Sequence, residues 1–252
     1  MRVRFEAEGD VIAITGGASG IGRALALAAA KAGAHVVVLD IDASALATLA
    51  KAQPQIVAKH LDVADRAAVV TAFTQIEHDF GRLDGLVCAA AIQPRVPVAD
   101  MDPEQWRRVV RVNLDGVVWC YQAAVPGMIR RRRGSIIAFT SGLAAQGWPE
   151  ASAYAATKAA LVAFAKSAAK EVAPHRVRFN LIAPGVIDTP QYRAANAGAD
   201  DARWRASVGV GDPEDVVGPL LFLLSDAATM TASTLAREFA YPARDPEERG
   251  RA

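Results

Sequence analysis

The sequence predicts an α/β protein: a doubly wound parallel sheet of about seven strands with helices on both faces, folded as a single domain. Three observations carry this. Short β-branched runs alternate with longer alanine-rich segments of helical spacing, the runs are apolar throughout, and a glycine-rich turn follows the first of them. Strands buried on both faces need no polar alternation, and strict strand–helix alternation forces parallel pairing through right-handed crossovers.

"VIAIT" from Val11 reads as the first strand, Ile21 to Ala32 as a helix closed by Gly33, and "HVVVLD" from His35 as the second strand. Further strands fall near Ile56, Leu86, Ile136 and Val177, with a last one through Leu235 to Phe239. Helical spacing covers Asp65 to Asp79, Pro103 to Ile129, Ser152 to Val172 and Pro213 to Ser225. No internal repeat or linker divides residues 1–242, while "ARDPEERGRA" at 243–252 is polar enough to be disordered.

Composition narrows the function classes. The 252 residues are 52% hydrophobic and 22% charged, enough apolar content for a sizeable core. A net charge of +1 argues against a nucleic-acid footprint, and the basic run Arg130 to Arg133 reads as the solvated end of a helix. The two cysteines, Cys88 and Cys120, lie in apolar surroundings and make no disulfide framework; a reducing cytoplasm fits. No secretory leader or membrane span is evident, and four scattered histidines have no metal-ligand spacing, so a soluble cytoplasmic protein without a metal is expected.

In a doubly wound sheet, ligands bind beyond the carboxyl ends of the strands. The first such loop is "TGGASGIG", where Gly16, Gly20 and Gly22 give a tight turn, a bare backbone able to approach a pyrophosphate, and close packing of the next helix. Amides at Ser19, Ile21 and their neighbours would face the phosphates. Eighteen residues past Gly22, Asp40 ends the second strand, where a carboxylate can accept both hydroxyls of an adenosine ribose and would repel a 2′-phosphate. The neighbouring candidates, Ala18, Ser19 and Ile41, supply no cation for such a phosphate, so NAD is expected over NADP.

Taken together, "TGGASGIG", "LDV" at Leu61 to Val63, "VNL" at Val112 to Leu114, "SG" at Ser141, "YAATK" at Tyr154 to Lys158 and "APGVIDT" at Ala183 to Thr189 resemble the short-chain dehydrogenase/reductase family over nearly the whole chain. The resemblance implies a Rossmann-like fold and an oxidoreductase of secondary alcohols and ketones. It places Asp62 and Val63 by the adenine, Ala89, Ala90 and Ala91 along the cofactor, and Pro184, Gly185, Val186, Ile187 and Thr189 by the nicotinamide and phosphates.

Tyr154 and Lys158 are four residues apart and share one helix face. A phenol titrates near 10, so a nearby ammonium that favours the phenolate would make it a proton carrier at neutral pH. By resemblance Tyr154 exchanges the substrate proton, Lys158 also holds the nicotinamide ribose, Ser141 hydrogen-bonds the substrate oxygen, and Asn113 completes a proton relay through a water. Each has a plainer reading: an amphipathic pair, a turn serine, a local helix kink.

Two stretches depart from the family pattern. "CAAA" at Cys88 to Ala91 stands where "NNAG" is common, so Ala89 cannot tie neighbouring strands and Ala91 adds a methyl near the cofactor; weaker cofactor binding or lower stability is expected. Cys88 itself reads as a small buried hydrophobe rather than a reactive thiol. Near the end, "TASTLAREFAYP" carries Ala232 in place of a glycine and Arg237–Glu238 in place of the usual ending, in a segment that commonly packs in the family's tetramers. A homotetramer or homodimer is expected.

The substrate pocket falls to Gln93, Leu143, Trp148, Val186, Tyr192 and Trp204, suited to a cyclic or aliphatic secondary alcohol, while Gln93, Arg95, Gln146 and Arg193 could equally serve a sugar or an acid. A dinucleotide-binding regulator without turnover, an NADP-dependent carbonyl reductase, and an epimerase or dehydratase are the alternatives. The NAD preference leans towards oxidation.

Overall fold

The computed structural model describes residues 4–197 and 209–238. Within them a seven-stranded parallel sheet runs in the order β3-β2-β1-β4-β5-β6-β7. The strands are β1 (Val11–Thr15), β2 (His35–Asp40), β3 (Val57–His60), β4 (Gly85–Cys88), β5 (Gly134–Phe139), β6 (Val177–Ala183) and β7 (Thr234–Ala236). The helices are α1 (Gly20–Lys31), α2 (Ala43–Ala52), α3 (Arg66–Phe80), α4 (Pro103–Val110), α5 (Gly116–Arg131), α6 (Leu143–Gln146), α7 (Ser152–Val172), α8 (Pro190–Ala195) and α9 (Val217–Leu224).

Side chains alternate across a strand, so each apolar run feeds two cores. Val11, Ala13, Val37 and Leu39 pack with Phe73, Tyr121 and Leu161 under α3, α5 and α7; Ile12, Ile14, Val36 and Val38 pack with Leu25, Leu49 and Leu220 under α1, α2 and α9. β1 and β5 are buried along their whole length. This double burial is why the strands read as continuous apolar runs.

The expected helix from Pro103 to Ile129 is a corrected element. α4 ends at Val110, Arg111–Asp115 forms a π-helical segment, and α5 continues from Gly116. Apolar spacing runs through all three pieces, so periodicity alone does not mark the bulge. α2 escapes the sequence reading because "ASALATLAKA" is short and follows the strand by only two residues; Asp42 caps it by accepting from Ala45 N. Pro213–Val216 is a 3₁₀ turn that leads into α9 rather than part of one helix. β7 is shorter than Leu235 to Phe239, and Phe239, like the 243–252 tail, lies outside the described residues.

The arginine run is not simply a solvated helix end. Arg131 makes a bidentate pair with Glu77 (2.7 and 2.8 Å) and donates to Leu83 O; Arg132 donates to Pro174 O, and Arg133 reaches Asp10. Beside them Arg82 grips Asp84 through two 2.7 Å bonds, and Asp84 also accepts from Val11 N at the start of β1. These bonds fasten the amino-terminal end of the sheet, opposite the end that holds the candidate site.

Candidate active site

The strand order reverses between β1 and β4, so the chain diverges there and leaves a crevice beyond Thr15 and Cys88. A cleft of about 1000 Å³ opens at that place. Its walls hold Gly16, Ser19, Gly20, Ile21, Gly22, Asp40, Ile41, Asp62, Val63, Ala89, Ala90 and Ala91 on one side of the predicted site residues. Ser141, Tyr154, Lys158, Pro184, Gly185, Val186, Ile187 and Thr189 complete the set, with Gln93, Leu143, Trp148 and Tyr192 also in the lining. Asn113 is fully buried and does not line the cleft, and Trp204 lies outside the described residues.

The glycine turn packs tightly on its own backbone and leaves the amino end of α1 open to the cleft. Gly16 has φ +67°, and a Cβ there would meet Ala90 N at 2.6 Å; a Cβ on Gly22 would strike the Gly16 carbonyl. Ser19, at the N-cap of α1, makes no side-chain cap bond, and the first turn carries no acid, so the helix amides are left for an anion. Thr189 closes the same spot: its side chain packs 3.1 Å from the Cβ position of Gly20 and accepts from Tyr192 N to cap α8. These features fit a dinucleotide's phosphates.

At the end of β2, the Asp40 carboxylate accepts from Ala18 N and Asp42 N, both at 3.0 Å, which fixes its orientation at the cleft edge. Ile41 beside it is 60% exposed.

The "CAAA" loop is held by backbone bonds and by Asn113. Ala89 N donates to Thr15 O (3.0 Å), and Asn113 clamps Ile92 from both sides: Ile92 N donates to Asn113 Oδ1 (2.8 Å) and Asn113 Nδ2 donates to Ile92 O (2.9 Å). Asn113 Nδ2 also reaches Thr157 Oγ1 on α7 at 3.4 Å. The asparagine therefore sits in the π-helical segment as a strut between the cofactor-side loop and the Tyr154 helix. Cys88 and Cys120 are both buried in the core; the hydrogen bond that the Cys120 thiol donates to Cys88, together with burial, pushes the Cys120 thiol well above its ordinary range.

Lys158 Nζ donates to Phe139 O (2.8 Å), and Thr140 Oγ1 donates to Lys158 O (3.0 Å), so the end of β5 fixes this turn of α7. Burial pushes the Lys158 ammonium down to about 8. The ammonium lies 5.5 Å from the Tyr154 ring centroid, over the ring face. Burial raises the Tyr154 phenol above its ordinary 10, and the Ser141 hydroxyl and the Arg95 charge draw it part of the way back. Arg95, on the loop after β4, is a second cation that opposes burial at the phenol, and spacing within α7 did not predict it. Helical spacing shows which face two residues share but not what a loop brings over them.

Sequence reading also missed Arg237 and Asn196, which line the cleft. Arg237 N donates to Ala183 O and its guanidinium pairs with Asp215, while Arg193 is engaged with Asp188 at 2.6 Å and is unsuited to the open ligand role considered for it. The departure of "AREF" from the family ending was the available signal for Arg237. Among the described residues no cluster of His, Cys, Asp or Glu could hold a metal ion, and no helix is long and apolar enough to cross a membrane.

A family model for short chain dehydrogenases matches residues 10–200. The chain belongs to the short-chain dehydrogenase/reductase family. It is 36% identical over 234 residues to a 2-keto-3-deoxy-L-fuconate dehydrogenase of Xanthomonas campestris pv. campestris, covering 89% of this chain and 77% of that one. A 3-oxoacyl-(acyl-carrier-protein) reductase of Thermotoga maritima is 37% identical over 228 residues, with 88% and 93% covered. A short-chain type dehydrogenase/reductase from Mycobacterium marinum superposes with a TM-score of 0.86 at 31% identity, over 93% of this chain and 96% of that one. Membership of a short-chain dehydrogenase/reductase family of oxidoreductases gives the cleft its general chemistry: a nicotinamide cofactor beside a CH–OH or carbonyl carbon.

Proposed function

We propose that the protein is an NAD-dependent oxidoreductase of a secondary alcohol and its ketone, with Tyr154 as acid/base. The observation that carries the NAD reading is Asp40, whose carboxylate is oriented by two backbone amides at the cleft edge with Ala18, Ser19 and Ile41 around it. A fixed negative charge there accepts ribose hydroxyls and repels a 2′-phosphate. Bound NAD would supply the carbon that takes up or gives back the hydride.

The chain's own groups handle the proton. Tyr154 Oη takes the hydroxyl proton during oxidation and returns it during carbonyl reduction. Ser141 Oγ, beside it, holds the substrate oxygen and favours the phenolate. Lys158, anchored on Phe139 O, contributes a cation under the ring and a donor towards the cofactor ribose. Asn113 acts behind these groups, holding the Ile92 loop and the Thr157 turn at a fixed separation. Its place as a positioning strut, out of the cleft lining, supports that role more directly than a relay through water.

The Tyr154→Phe variant tests the assignment. Turnover of a secondary-alcohol panel should fall at least about a hundredfold while NADH binding is kept, since acid/base groups contribute roughly 10²–10⁴. Turnover equal to the parent protein would remove Tyr154 from the chemistry; NADH binding with no turnover by the parent would favour a regulator.

A further inference from the structure

A guanidinium without enough partners sits in the cleft wall. Arg95 follows the Asn113-clamped Ile92 by three residues on the loop after β4, and it lines the cleft together with Ser141 and Tyr154. Its Nη1 is buried and has no hydrogen-bond partner among the described residues. Its Nη2 meets Asn196 Oδ1 at 3.5 Å, the outer limit of a hydrogen bond, while Asn196 is itself held by donating to Tyr192 O at 2.8 Å. No carboxylate of the described residues lies within ion-pair distance. Glu150 and Tyr154 act on Arg95 only through space, and burial lowers its affinity for the proton.

A buried donor left unpaired costs its desolvation, and a guanidinium presents its donors as a planar fork that matches a carboxylate. We propose that Arg95 anchors the carboxylate of the substrate, so that the protein acts on a hydroxy or oxo carboxylate whose reacting carbon lies beside Tyr154. The inference rests on the dehydrogenase reading of the same cleft and names its substrate class. Of the other basic groups lining the cleft, Arg237 pairs with Asp215, Arg111 reaches Glu104 and Lys158 donates to Phe139 O, while Arg108 is exposed on α4. A singly charged carboxylate suits one guanidinium better than a phosphate dianion, which calls for more cations. Leu143, Trp148 and Tyr192 give the wall apolar surface beside the amides of Gln93, Gln146 and Asn196, so a body of mixed apolar and hydroxylated character between carboxylate and carbinol fits.

The first test is calorimetry on protein saturated with whichever of NADH or NADPH it binds, titrated with cyclohexanecarboxylate and, separately, cyclohexanecarboxamide. The carboxylate should bind roughly tenfold to hundredfold more tightly, as charge-assisted bonds to a buried guanidinium allow. Arg95→Gln should bring the two affinities within about threefold of each other, and Arg95→Lys, which keeps the charge but loses the fork, should retain part of the preference. In parallel, the ratio of kcat/KM for 3-hydroxybutyrate to that for its methyl ester should collapse in Arg95→Gln chiefly through KM of the acid. Equal affinity for acid and amide in the parent protein, or a preference that survives Arg95→Gln, overturns the proposal. NAD reduction with neutral alcohols but no carboxylate preference would sink this inference and leave the dehydrogenase reading standing. A carboxylate preference lost in Arg95→Gln, without any turnover, would support the anchor and sink the enzyme.

Discussion

Lys158 and Tyr154 are shifted by the same burial in opposite directions, the lysine down to about 8 and the phenol above 10. For Lys158 the consequence is a stability profile. Between about 8 and the unfolded value near 10.5 the unfolded chain binds more protons than the folded one, so stability rises with pH across that window, by about 3 kcal/mol in total. Denaturant melts between about pH 7 and 10 should show this rise, and Lys158→Met should flatten it. A parent profile no steeper than the variant's would mean that the lysine is better hydrated than its surroundings imply. For Tyr154, a phenol held neutral near pH 7 is ready to donate, so initial rates of carbonyl reduction should fall and rates of alcohol oxidation should rise as pH climbs towards the tyrosine's own range. Rates with no such opposite trend would dissociate this phenol from the reaction. The pair's shared face was legible from its spacing of four; the Arg95 charge was not, because a loop residue's reach depends on the Asn113–Ile92 clamp rather than on any local pattern.

The elements were legible where one physical signal dominates. β1 and the centres of β2 and β5 are continuous apolar runs and appear where the sequence puts them, and α7 runs from Ser152 to Val172 as its spacing predicts. Signals that compete within a few residues were harder to read. The π-helical turn keeps the apolar stripe of α4 and α5 while swinging Asn113 towards Ile92, and α2 is a three-turn helix directly after a strand. At the sheet's edge, Ala232 holds φ +59°, a left-handed backbone that costs an alanine about 1–2 kcal/mol, just before β7. The glycine common there in the family therefore has a geometric reason. Ala232→Gly should stabilise the protein by about 1 kcal/mol net of the extra freedom of its unfolded chain, a gain of about 2–4 °C in melting temperature. An unchanged or lower melting temperature would show the strain is relieved elsewhere. At the opposite strand end, Gly16→Ala should remove nucleotide binding, because both its φ of +67° and Ala90 N at 2.6 Å forbid the methyl; an NADH-induced melt shift equal to the parent's would contradict that reading of the turn.

At the scale of the whole molecule, two apolar cores hold the sheet from either face and the arginine–carboxylate bonds of Arg82, Arg131 and Arg133 close its amino-terminal end, which leaves the carboxyl end open. The switch between β1 and β4 puts the glycine turn, Asp40 and the Tyr154 helix around one cleft although they are far apart in the chain. Topology of this kind follows from strand–helix alternation, so the location of the site could be read early, while the identity of what fills it could not. The central claim, a nicotinamide site that prefers NAD, is tested most directly by melting the purified protein with NADH and, in parallel, with NADPH. At about 100 times its dissociation constant a ligand adds roughly 2.7 kcal/mol, enough for a shift of several degrees. NADH should raise the melting temperature and NADPH should do so less or not at all; a larger shift with NADPH would contradict the role given to Asp40, and no shift with either would contradict the nicotinamide site itself.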